Sequence, residues 1–194
     1  MVGSNPTVSA NAPATFLRIP TAMVGSCRKI GGVEPTTVPA VTDQSPDWDL
    51  LMLDALTQAM AAGDHGDVPI GALAVHDGRV IAKANNQREL TGDPTAHAEV
   101  LALRAAAKHL GSWRLDGVTL VVTLEPCPMC AGAAWASRIE RLVYGAPNLD
   151  AGATGTLYNL AADPRLNHEY EVIGGVRAEE CARVLSDFFA ERRG

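Results

Sequence analysis

Two short motifs limit how this 194-residue chain can fold more than any other feature: Thr95-Ala-His97-Ala-Glu99 and Glu125-Pro-Cys127-Pro-Met-Cys130. Each stands where a non-helical segment turns into a helix. Cys127 and Cys130 are spaced i, i+3, so on a helix they share a face and can chelate one ion. The partial positive charge of a helix N-terminus lowers a thiol pKa and favours the thiolate that a metal requires. His97 completes a His, Cys, Cys set only if two successive helices begin at one point in space. That condition points to an alternating arrangement of strands and helices.

The rest of the chain fits that arrangement. Trp48, Leu51, Leu53, Leu56 and Ala59 approximate a helical stripe that Gly63 ends. Gly71 to Val75 and Val80 to Ala84 are apolar runs around Asp77-Gly78, a strong hairpin signal. The pattern predicts a helix over 96–110 closed by Gly111, a buried strand over 118–124 and a helix over 127–137 opened by Pro126. It goes on to a strand over 139–144, a short helix over 156–162, a strand over 170–173 and a terminal helix over 177–193. Strand-helix-strand crossovers favour parallel, right-handed pairing, so the expected α/β architecture is a mixed five-stranded sheet covered by helices.

Composition removes several function classes. A formal net charge of -6 argues against a protein that coats nucleic acid by neutralising many phosphates, although a local basic surface is compatible with it. No run of about 18 apolar residues is present, so no membrane role is expected. Four cysteines, two of them three residues apart, suit metal or redox chemistry in a reducing, cytoplasmic compartment better than a disulfide framework. Residues 1–46 are rich in Pro, Ser, Thr and Gly without helical or strand period, and read as a disordered extension before a domain at 47–194. A targeting peptide or a misassigned start would give the same pattern.

Three protein ligands leave a fourth tetrahedral position for water, as in catalytic zinc sites, whereas structural sites usually have four protein ligands. One Zn2+ per chain is therefore expected at His97, Cys127 and Cys130. A fourth protein ligand is hard to find, because Cys27 lies in the extension and Cys181 fits an apolar position of the terminal helix. Zinc acidifies a bound water, and the Glu99 carboxylate, two residues from a ligand, is placed to shuttle its protons. Glu99 as a fourth ligand is the alternative; spacing i, i+2 weighs against it without deciding. Taken alone, Cys-Pro-Met-Cys after a strand also suits a thioredoxin-like redox protein. The pair of motifs favours metal, since H-x-E followed by P-C-x-x-C is the zinc nucleobase deaminase signature.

From about Val68 to Arg193 the chain resembles the bacterial tRNA-specific adenosine deaminase family of the cytidine-deaminase-like superfamily. The likeness rests on Val68-Pro-Ile-Gly71, Asp93-Pro-Thr-Ala-His-Ala-Glu99, Thr123-Leu-Glu-Pro-Cys127, Cys130-Ala-Gly132, Ser137-Arg-Ile139, Leu166-Asn-His168 and Leu185-Ser-Asp-Phe-Phe189. It implies a three-layer α/β/α cytidine-deaminase-like fold and a homodimer. It also implies hydrolysis of the wobble adenosine of a tRNA anticodon, of an arginine tRNA in the family, to inosine and ammonia. His97, Cys127 and Cys130 match the zinc ligands and Glu99 the proton shuttle. Asn86 matches the asparagine that contacts the target nucleoside, and Ile70 a residue lining the base pocket. An Asn-Asn pair after a strand would otherwise read as turn chemistry.

Two departures from the family pattern keep a second substrate class in view. Asp150 stands where the family commonly has a basic residue, and Ala190-Glu191 follows the terminal Phe-Phe. With the acidic net charge, they leave a free base, nucleoside or nucleotide as the alternative substrate. Arg88, Arg138, Arg141, Arg192 and Arg193 are the candidate phosphate partners for an anticodon stem-loop.

Overall fold

A computed structural model describes residues 46–193. The readings for the N-terminal extension, Cys27 included, lie outside the described residues, Pro46 apart.

The chain opens with α1 (Trp48–Asp64), whose first turn is capped by Asp47 Oδ1 accepting the Leu50 N–H at 3.1 Å. Met52, Ala55, Leu56, Ala59 and Ala62 form its buried stripe. Strands β1 (Gly71–His76) and β2 (Arg79–Asn85) pair antiparallel through a two-residue turn. Asp77 and Gly78 take φ of 49° and 70° there, the left-handed pair that an Asp-Gly hairpin requires. A short helix α2 (Arg88–Thr91), not foreseen in the sequence, precedes α3 (Ala98–Leu110), which Gly111 closes in the left-handed conformation. Then come β3 (Val118–Leu124), α4 (Pro128–Ser137), β4 (Arg141–Ala146), β5 (Glu171–Gly174) and α5 (Ala178–Arg193).

The strands form one sheet in the order β2-β1-β3-β4-β5. β1 is antiparallel to both β2 and β3, while β3, β4 and β5 run parallel, so the sheet is mixed as expected. Period-2 alternation sends side chains to opposite faces. Ala72, Ala74, Leu120, Val122 and Leu142 join Ala98, Ala102, Leu103, Ala106 and Ala134 of α3 and α4. Leu73, Val75, Val121 and Val143 join Met52, Ala55 and Leu56 of α1 and Cys181 of α5. Two cores on one sheet make the three layers. Gly71 is where β1 presses against α1; a Cβ there would meet the Ala55 carbonyl oxygen and lie 2.7 Å from Gln58 Cβ.

One predicted element is absent. Residues 156–162 form turns with an isolated bridge between Thr154 and Asn159, where the sequence pattern predicts a helix. The backbone groups find other partners: the Thr156 N–H donates to Glu125, those of Leu157 and Tyr158 to the Gly152 carbonyl, and that of Leu160 to the Ala153 carbonyl. The i to i-4 bonds of a helix are thereby forgone.

Candidate metal centre

Both motifs sit at helix starts at the carboxyl end of the β3–β4 region, where open α/β sheets place ligands. His97 is the residue before α3, in extended conformation (φ -74°, ψ 147°), and Cys127 is the residue before α4 (φ -70°, ψ 170°). Pro128 at the first position of α4 has its φ preset for the helix and no N–H to leave unpaired. Cys130 follows in the first turn and is fully buried.

The structure brings the three expected ligands together. The donor atoms of His97, Cys127 and Cys130 lie within 4.8 Å of one another, a group able to hold a metal ion. His97 Nδ1 is 3.5 Å from Cys130 Sγ and 3.8 Å from Cys127 Sγ. The hydrogen bond from Cys130, helped by His97, pulls Cys127 down to about 4 against the opposing effect of burial. The same sharing pushes Cys130 up, so Cys127 is the first thiol to become a thiolate. His97 in turn is raised, chiefly by its bond to Cys127.

Glu99 lies in the first turn of α3, buried, and its Oε2 has no hydrogen-bond partner among the described residues. Burial raises its carboxyl above the ordinary range. A buried carboxyl oxygen without a partner is costly, and this one stands close to His97, Cys127 and Cys130.

Asn86 and Ile70 are also neighbours, since the Asn86 N–H donates to the Ile70 carbonyl at 3.0 Å. Asn86 is buried, and the next residue, Gln87, donates its N–H to the carbonyl of Ala96, directly before His97. These two bonds bring the Ile70 and Asn86 segments alongside the start of α3.

Two acids that sequence reasoning left without a role frame this centre. Asp67, fully buried, accepts the N–H groups of Glu89 at 2.8 Å and Leu90 at 3.0 Å, at the start of α2. Burial by itself would raise its carboxyl; these bonds and nearby His65 outweigh that and hold it below the usual value. Glu125, buried two residues before Cys127, accepts five bonds from the loop after β4. An acid closing an apolar strand at Leu124-Glu125 was the available signal for the second; nothing local marks the first.

Four of the candidate phosphate-binding arginines already have protein partners. Arg88 pairs with Glu89, Arg138 donates to Asn167 and stacks on Trp135, and Arg141 pairs with Glu171 at 2.6 Å. Arg192 donates to the Gly66 carbonyl at 3.0 Å and lies 3.6 Å from the Phe188 ring centre, bracing the loop that holds Asp67. Arg193 is exposed.

The profile of the MafB19-like deaminases matches residues 46–193. The tRNA-specific adenosine deaminase of Bacillus subtilis (strain 168) is 51% identical over 145 residues, covering 75% of this chain and 90% of that protein. The chain belongs to the tRNA-specific adenosine deaminase family. A solved structure from work on A-to-I editing by wobble-position tRNA deaminases aligns with a TM-score of 0.67 at 44% identity, covering 69% of this chain and 97% of that one. A guanine deaminase from Nitrosomonas europaea also aligns, with a TM-score of 0.64 at 26% identity, over 82% of this chain and 94% of that one. The three-layer fold expected for tRNA-specific adenosine deaminases is the fold found.

Proposed function

We propose that this protein hydrolyses the wobble adenosine of a tRNA anticodon, with an arginine tRNA as the preferred substrate, to inosine and ammonia. The observation that carries the proposal is the convergence of His97, Cys127 and Cys130 on one point beside Glu99 Oε2, which has no partner among the described residues, in a member of this family.

His97, Cys127 and Cys130 would hold one zinc ion. The donor set suits it, since two thiolates and an imidazole are preferred zinc ligands and three of them leave a position open. The separations also suit it: bond lengths of about 2.0 to 2.3 Å place neighbours around a tetrahedral ion about 3.6 Å apart, against 3.5 and 3.8 Å here. When bound, the metal supplies the Lewis acidity that makes water a nucleophile near neutral pH.

The chain's own residues supply the rest. Glu99 Oε2 takes one proton from the water oxygen that attacks C6 and passes it to ring N1, then takes the second from the resulting C6 hydroxyl and passes it to the N6 amine, so that the C6–N6 bond breaks, ammonia leaves and the C6 carbonyl of inosine remains. Such general acid-base transfer contributes roughly 10² to 10⁴-fold. Ile70 and Asn86 line the base side, where they select the ring and hold the nucleoside. An unpaired anticodon base can be splayed into such a pocket at lower unstacking cost than a base in a duplex.

Free thiols at Cys127, Cys130 and Cys181 and a tRNA substrate agree with a cytoplasmic setting, and among the described residues no helix is long and apolar enough to cross a membrane. A second copy of the chain is the proposed partner. Its support is an apolar depression of about 440 Å³ between α3 and α4, lined by Val100, Leu103 and Ala133 and edged by Trp113, 63% exposed.

A second reading, deamination of a free purine, is favoured by exposed Asp150 and by the arginines already engaged within the protein. One assay separates the two. The enzyme receives an anticodon stem-loop with adenosine at the wobble position, beside free adenine, guanine, cytosine and their nucleosides, and the deaminated product of each is followed by mass spectrometry. The tRNA reading expects the highest kcat/KM on the stem-loop; a higher value on a free base or nucleoside overturns it and leaves the zinc deaminase assignment standing.

A further inference from the structure

The loop after β4 has a buried anchor that the chemistry does not use. Glu125 Oε1 accepts the N–H groups of Thr154 at 3.1 Å and Thr156 at 3.0 Å, with the Thr154 hydroxyl at 3.3 Å. Glu125 Oε2 accepts the N–H of Asn148 at 3.1 Å and the Thr156 hydroxyl. All five donors come from residues 148–156. The loop is pinned from a second side, because the Ala153 N–H donates at 2.9 Å to the carbonyl of Pro126, directly before Cys127. Gly152 fits only because it lacks a side chain; a Cβ there would strike the Glu125 carboxylate and lie 2.6 Å from the Asn148 carbonyl oxygen.

The outer side of the same loop offers a surface. Leu149 is 74% exposed, and Leu157 and Tyr158 are exposed at its far end. Tyr158 shares a depression of about 410 Å³ with Pro128, the residue after Cys127. A substrate larger than one base, seated at the metal triad, therefore has this loop beside it.

We propose that Glu125 is a positioning residue that holds the loop over 147–156 against the start of α4, in the shape that receives the polynucleotide flanking the reacting base. Glu125 touches neither metal nor substrate; it acts through the loop. The inference rests on the proposed RNA substrate. A carboxylate is the group the site needs, since it accepts at both oxygens and donates at neither. In Glu125→Gln the amide nitrogen must replace one oxygen, and in either orientation it faces at least one backbone N–H that cannot turn away. Thr156→Val is milder, removing one hydroxyl donor and keeping the carboxylate.

The test combines steady-state kinetics, zinc content and amide hydrogen exchange on Glu125→Gln, Thr156→Val and Gly152→Ala. The expected result is a KM for the anticodon stem-loop raised by about tenfold or more in Glu125→Gln, kcat within about threefold of wild type, and zinc retained, which is the signature of lost uniform binding. Thr156→Val moves KM in the same direction by less, and Gly152→Ala, whose methyl group displaces the Glu125 carboxylate, repeats the effect with Glu125 itself unsubstituted. Amides of Asn148, Thr154 and Thr156 exchange faster in all three. A lowered melting temperature with unchanged KM in the variants that fold would overturn the proposal, leaving Glu125 a purely structural acid. So would loss of zinc with unchanged KM, which would place its action on the Cys127 turn. Should Glu125→Gln not fold, Thr156→Val and Gly152→Ala carry the same readouts. A wild-type enzyme inactive on the stem-loop would overturn the substrate reading instead; exchange at the three amides, which needs no substrate, would still decide whether Glu125 holds the loop.

Discussion

Replacing Asp67 with asparagine tests how far the base side of the site depends on one buried carboxylate. In the native protein Oδ1 accepts the Glu89 N–H at 2.8 Å, and Oδ2 accepts the Leu90 N–H at 3.0 Å with His65 Nδ1 3.2 Å away. Asparagine has the same shape but only one accepting oxygen, so one backbone N–H at the start of α2 is left facing an amide nitrogen. A buried donor without a partner costs about 1 to 3 kcal/mol. Taking about 2 kcal/mol, and about 2 to 4 °C per kcal/mol for a chain of this size, the melting temperature should fall by about 4 to 8 °C. The pH dependence has a definite sign. The folded carboxyl of Asp67 lies below its ordinary value of 3.8. Its contribution is therefore fully present above the unfolded pKa and is lost as pH falls through the folded one. Denaturant melts of the two proteins should stay apart from about pH 8 to pH 5 and draw together as pH falls below about 4. Because α2 begins two residues after Asn86, kcat/KM should drop while zinc stays bound. A stability gap that is absent near neutral pH, or that stays fully open at about pH 3, would refute the assignment of these bonds as the source of Asp67's effect.

Other changes reach the site more directly. Glu99→Ala should lower turnover by about 10² to 10⁴-fold with zinc content unchanged, since the carboxylate is assigned protons and not the metal; loss of zinc by elemental analysis would reassign it as a ligand. Cys130→Ala should lose zinc and activity together, and a variant active without metal would refute the zinc mechanism. Gly71→Ala should cost about 3 kcal/mol or more, because its methyl group would collide with the α1 backbone at Ala55 and Ala59; a soluble variant with wild-type melting would show that β1 and α1 are not in the close contact described.

The sequence by itself determined the candidate donor set and most of the elements. The candidate donor set is written in residue type and spacing, because His, Cys and acidic side chains are the usual metal donors and because a Pro-Cys-x-x-Cys run carries its own helix start. Asp77-Gly78 dictated its hairpin through the left-handed φ that few other dipeptides accept. Leu120, Val121 and Val122, apolar on successive positions, announced a strand buried on both faces. Tertiary structure decided what depends on partners distant in sequence. The order β2-β1-β3-β4-β5 put His97 beside Cys127 across thirty positions, and no local signal states that distance. It overruled the helical pattern of residues 156–162, because the Leu160 N–H, which a helix would aim at the Thr156 carbonyl, goes to the Ala153 carbonyl, while those of Leu157 and Tyr158 turn back to Gly152. It also gave Arg192 to the Gly66 carbonyl, where residue type alone suggested a phosphate contact, and Asp67 to the α2 N–H groups, a role that no local pattern marks. Hydrogen bonds to buried backbone are satisfied wherever the fold happens to bring a partner. Their owners can be read only once the chain has closed on itself.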